Sequence, residues 1–113
     1  MNTTTNEIAV FKALSEEIRV RIMVLLTKGE LCVCDLTAVL KLPQSTISRH
    51  MAKLKGAQLV TDRREGKWVH YRMSDVIKEG LPDLTVTLRN LEHKSPYSND
   101  LTTFNNHKLI KSC

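Results

Sequence analysis

The chain has 113 residues, enough for one hydrophobic core and too few for two. No apolar run is long enough to cross a bilayer, and the polar opening Met1-Asn2-Thr3-Thr4-Thr5-Asn6 lacks the pattern of a secretory signal. Three cysteines, an odd number, do not make a secreted disulfide framework, so the expected setting is the reducing cytoplasm, where thiols stay available to soft metals. The net charge of +5 is unevenly spread: residues 41–72 carry eight basic and two acidic side chains, and the rest of the chain is net negative by one. An excess concentrated in one third of the chain is the footprint of a phosphate-binding face, whereas an ordinary solvated surface needs no such concentration.

The first predicted helix covers residues 7–14, with Ile8, Phe11 and Leu14 on one side. Ser15 reads as the N-cap of a second helix reaching about residue 27, with Glu16 and Glu17 near the positive end of its dipole and Ile18, Ile22, Leu25 and Leu26 as its apolar stripe. Gly29 fits a helix stop. A short third helix over residues 34–40 buries Leu36, Val39 and Leu40, and Pro43 bars it from continuing past the turn Lys41-Leu42-Pro43.

The fourth helix is expected over residues 44–55. Ile47, Met51 and Leu54 fall within about 60° on a helical wheel and face the core. Ser45, Ser48, Arg49 and Ala52 lie opposite, a face of short polar groups, one bidentate donor and one small residue suited to base edges in a major groove. With the short helix and tight turn before it, this is a helix-turn-helix, and Gln44, Ser45, Thr46, Ser48, Arg49 and Lys53 are its candidate DNA contacts.

Two strands follow, over residues 59–63 and 67–73, with Gly66 supplying the positive φ of a tight hairpin. Val69, Tyr71 and Met73 alternate with Trp68, His70 and Arg72, as a two-faced strand requires. A basic hairpin after a recognition helix is a wing, with Arg63, Arg64 and Lys67 placed to meet phosphate and Trp68 expected to pack the hairpin down. A last helix over residues 82–93 starts at Pro82 and carries Leu81, Leu84, Leu88 and Leu91 at spacings of three, four and three. That stripe is expected to form a subunit interface with Ile8 and Phe11. The reading gives one domain over residues 1–94 and a polar, flexible tail over 95–113, in which Phe104, Leu109 and Ile110 are the residues able to dock. The class is mainly α with a small β-hairpin. No Gly-rich phosphate loop or paired-carboxylate site accompanies it, and no enzyme or organic cofactor is expected.

Cys32 and Cys34 sit one residue apart at the start of the third helix. Positions i and i+2 of a regular helix point about 200° apart and cannot share an ion. In extended backbone they point the same way. Chelation is therefore expected to pull the first turn out of helical shape and tilt the helix that braces the recognition helix. The helix N-terminus also lowers a thiol's pKa, and thiolates suit soft trivalent metalloids. Two buried small hydrophobes are the plainer reading, but a pair at this spacing beside a helix start favours a site.

Glu30-Leu31-Cys32-Val33-Cys34-Asp35-Leu36 resembles the metal-binding box of the ArsR family of metal-responsive repressors, Ile47-Ser48-Arg49-His50-Met51 its recognition helix, and Asp62-Arg63-Arg64-Glu65-Gly66-Lys67-Trp68-Val69-His70-Tyr71-Arg72 the wing of its arsenic-sensing members. The resemblance covers residues 8–73. It implies a winged helix-turn-helix homodimer joined through first and last helices, bound to an operator in duplex DNA and released by trivalent arsenic or antimony on Cys32 and Cys34. Many arsenic sensors carry a third cysteine where this chain has Thr37, so the third ligand is open between Cys113, a small thiol and hydroxide. The family often has glycine where this chain has Gln58, and Gly56 is the residue expected to take over that bend. Zinc sensors of the family use a carboxylate and histidines on the last helix, where this chain offers only His93, with Asp83 ten residues away. His50, His70 and His107 are scattered and read as structural or surface residues. Cadmium or lead sensors, which share the C-x-C pair, and a thiol redox sensor are the alternatives on the same fold.

Overall fold

The computed structural model describes residues 6–110, with side chains through residue 107. Seven helices and three strands follow in the order α1 (Glu7–Ala13), α2 (Glu17–Leu26), β1 (Leu31–Cys32), α3 (Val33–Leu40), α4 (Gln44–Gly56), β2 (Val60–Glu65), β3 (Trp68–Met73), α5 (Asp75–Gly80), α6 (Pro82–Asn90) with a 3-10 turn (Leu91–His93), and α7 (Tyr97–Ile110). The strands form one antiparallel sheet in the order β1-β3-β2. None of the described helices is long and apolar enough to cross a membrane.

The core gathers around α2, whose residues Ile22 to Leu26 are all buried. Ile47, Met51 and Leu54 of α4 join it at 0 % exposure, so the stripe read from the sequence is the packed face of that helix. Asn6 caps α1 by accepting from the Ala9 amide at 3.2 Å. Ser15 does not cap α2; its hydroxyl donates to the Lys12 carbonyl and closes α1, while Glu16 holds the cap position without a side-chain bond to the α2 backbone amides.

Further sequence expectations change. First, β1 makes the wing a three-stranded sheet. Second, Ser74 caps the unanticipated α5, accepting from the Ile77 amide at 3.2 Å and donating to the Gln58 carbonyl. Third, Gln58 itself takes the left-handed conformation after α4, at φ 62°, whereas Gly56 is the last residue of the helix. Fourth, the segment expected as a flexible tail forms α7, which packs on α2 and α3. Phe104 is buried there, and Arg21 of α2 forks onto the buried Asp100 at 2.8 and 2.7 Å. The segment reads as polar because two of its anchoring contacts, Arg21–Asp100 and His107–Asp35, are charged or polar. Trp68 is 40 % exposed, with the Lys67 ammonium 5.3 Å from its ring centroid, so it does not pin the hairpin to the core.

Candidate functional site

Cys32 ends β1 and caps α3 in extended backbone, at φ −79° and ψ 153°, while Cys34 is the second residue of the helix. The two sulfurs therefore straddle the helix start. The Cys34 amide donates to Cys32 Sγ at 3.4 Å, and the Cys32 amide donates to Asp35 Oδ2 at 3.0 Å. These reciprocal bonds are a capping box, with a sulfur in the place that a serine or threonine hydroxyl usually holds. Asp35 is buried, and its other oxygen meets His107 Nε2 of α7 at 2.9 Å. Cys32 is a buried free thiol; Cys34 is half-buried and disulfide-bonded, so a metalloid could take both sulfurs only after reduction. Cys113 lies outside the described residues. Among the described residues no group of three or more His, Cys, Asp or Glu is arranged to hold a metal ion. Cys32 and Cys34 thus bring two sulfurs to this segment, and any further ligand of a soft ion bound there would come from elsewhere.

Gln44, Ser45, Ser48, Arg49, Ala52 and Lys53 are exposed along one side of α4, and Thr46 is half-buried at its first turn. Arg49 and Lys53 have no intramolecular ion pair among the described residues. His50, on the inner side, is buried and accepts from Arg19 Nε of α2 at 3.2 Å. Burial, then the Arg19 charge, holds its pKa below the usual histidine range, consistent with a neutral ring tying α4 to α2. Arg19 also donates to the Ala13 carbonyl, so it braces three elements at once, a role the sequence pattern did not reveal.

Arg49→Ala should weaken binding to a specific duplex site by about 1–3 kcal/mol if its guanidinium reads a guanine, and relax discrimination at one base pair. Neutralising Arg64 should instead weaken all sequences alike and flatten the salt dependence. Fluorescence anisotropy across a salt series separates the two; an unchanged affinity for Arg49→Ala would remove α4 from the groove.

In the wing, Arg64 and Lys67 are exposed and free of ion pairs among the described residues. Arg63 is engaged: it forks onto Glu30 at 2.8 and 2.7 Å and donates to Glu65 at 3.0 Å. The bond from Arg63 holds the Glu30 carboxyl below its ordinary pKa.

Of the interface candidates, Ile8 and Phe11 are 63 % and 69 % exposed. Leu81, Leu84 and Leu91 are half-buried, whereas Leu88 is 2 % exposed and packs inside the chain's own core. Charge at Leu88 would therefore unfold the chain rather than split a dimer. Between α1 and α6 runs an apolar groove of about 310 Å³, lined by Val10, Phe11, Leu81, Pro82 and Leu84 among others.

Residues 16–62 match the family described as bacterial regulatory protein, arsR family. Over 82 residues the chain is 44 % identical to the arsenic resistance transcriptional regulator ArsR2 of Pseudomonas putida, covering 71 % of each protein. The chain belongs to the ArsR family. It is 53 % identical over 68 residues to the arsenical resistance operon repressor of Escherichia coli K12, covering 59 % of this chain and 58 % of that repressor. A cadmium resistance regulatory protein CadC homologue of Staphylococcus aureus is 43 % identical over 67 residues, covering 58 % of this chain and 55 % of that protein. The chain thus spans little more than half the length of some of the curated relatives it matches. The homodimeric winged helix-turn-helix DNA-binding domain Mb0332 of Mycobacterium bovis superposes with a TM-score of 0.62 at 32 % identity, covering 78 % of this chain and 83 % of that domain. The winged helix-turn-helix expected from the sequence is this fold.

Proposed function

We propose that this ArsR-family chain is a homodimeric transcriptional repressor whose hold on operator DNA is broken by trivalent arsenic or antimony on Cys32 and Cys34. The observation that carries the reading is the position of the pair: one sulfur in extended backbone at the cap of α3 and one in its first turn, with α3 packed on the recognition helix α4. For both sulfurs to reach one metalloid, the first turn must leave helical geometry and surrender the capping box. That strain tilts α3 against α4. The arsenical-resistance relatives favour a metalloid inducer over other thiophiles.

Cys113 is the proposed third ligand. His107, near the end of α7, meets Asp35 beside the sensor segment, and Cys113 follows it by six residues in the chain. The DNA contacts proposed are Gln44, Ser45, Thr46, Ser48, Arg49 and Lys53 of α4 with Arg64 and Lys67 of the wing. Two copies of α4 would enter successive major grooves about 34 Å apart. The subunit contact proposed is α1 with α6.

A redox switch is the second reading, favoured by the disulfide at Cys34. Titrating the reduced protein–operator complex with arsenite, cadmium and peroxide in parallel separates the readings. Arsenite should release the DNA at concentrations where the other two do not. Release by peroxide alone would establish the redox reading, and release by cadmium alone would make this a cadmium sensor.

A further inference from the structure

Cys32 belongs to two elements at once. It caps α3, and as the last residue of β1 it pairs with His70 of β3, which pairs in turn with Arg63 of β2. Directly opposed residues of an antiparallel ladder share a face, so Cys32, His70 and Arg63 form one row across all three strands. Glu30, two residues ahead of Cys32, reaches from the β1 edge of the sheet to the β2 edge, where its carboxylate accepts both prongs of the Arg63 fork. The entrance of the sensor segment is thereby fastened to the strand that carries Arg64. A forked guanidinium–carboxylate pair fixes relative orientation as well as distance, which a single point contact does not.

We propose that Glu30 and Arg63 are positioning residues that carry the state of the thiol pair to the wing. The inference rests on the metalloid-sensing reading above. Drawing Cys32 towards Cys34 shifts β1 against β3, and the Glu30–Arg63 clamp makes β2 follow. Arg64 and Lys67 then leave the line of the phosphates. The wing becomes a second path of release beside the packing of α3 on α4. The clamp is solvent-exposed, so it contributes little to folding stability, and its loss should show in coupling rather than in the fold.

The test uses the reduced protein and the variant Glu30→Gln, which keeps shape and removes the charge. Metalloid-free operator affinity should stay near that of the wild type, and arsenite should still bind, read by the ultraviolet absorption of the thiolate–arsenic bonds. The drop in operator affinity on adding arsenite should shrink by up to about fivefold, the upper end of what an exposed ion pair contributes. The double charge swap Glu30→Arg with Arg63→Glu should recover much of that drop, measured within the variant as the ratio of affinities with and without arsenite. Full wild-type release by Glu30→Gln, loss of arsenite binding by it, or a swap that recovers nothing would each overturn the clamp. A wild type that binds operator but ignores arsenite would overturn the sensing reading itself, and the clamp with it.

Discussion

Ile8→Glu combined with Phe11→Glu should leave the chain folded and monomeric, and should cost operator affinity at least about a hundredfold, the lower end of what linking two binding modules gains. Both side chains are mostly exposed on α1 beside the apolar groove against α6, so the protomer's own core loses nothing. Exposed large apolar groups in one patch mark a contact surface. Burying each side chain contributes about 1.5–3 kcal/mol. In a two-fold contact every substitution appears twice, so four carboxylates would enter one small interface. Sedimentation and anisotropy report the two halves of the prediction. A double variant that stays dimeric at micromolar concentration would move the interface away from α1.

How much of this was legible in the sequence depends on the kind of contact each element makes. α4 was plain, because Ile47, Met51 and Leu54 repeat at helical spacing and all three are fully buried. The hairpin was plain for the same reason at period two, with Gly66 at φ 62° marking its turn. β1 was illegible, since a strand of two residues has no period; only the wing's β3 reveals it by pairing. α5 is six residues long and announced itself by Ser74 alone. α7 escaped because its apolar residues Tyr97, Leu101 and Phe104 are few and set among polar ones, and its other anchors, Arg21–Asp100 and His107–Asp35, are charged or polar. Leu88 was placed on the interface because its stripe does not say which partner covers it. The thiol pair was found by spacing, and its position across the cap of α3 followed from the flanking pattern. The engagement of Arg63 by Glu30 was beyond reach, because 33 residues separate the two and only the sheet brings them together.

The second large effect belongs to the thiols. Serine at position 32 keeps an acceptor for the Cys34 amide and is a better helix cap than cysteine, so the metalloid-free fold and its DNA-binding face should persist. A hydroxyl is a poor ligand for a soft metalloid, so the driving force for unwinding the first turn disappears. In the wild type, arsenite should weaken operator binding by roughly 5- to 150-fold, and operator should weaken arsenite binding by the same factor. The decisive measurement is the operator affinity of reduced Cys32→Ser/Cys34→Ser with and without arsenite. An affinity equal to the wild type's and unmoved by arsenite is the expected result; a double variant that still leaves its operator when arsenite is added would contradict the account.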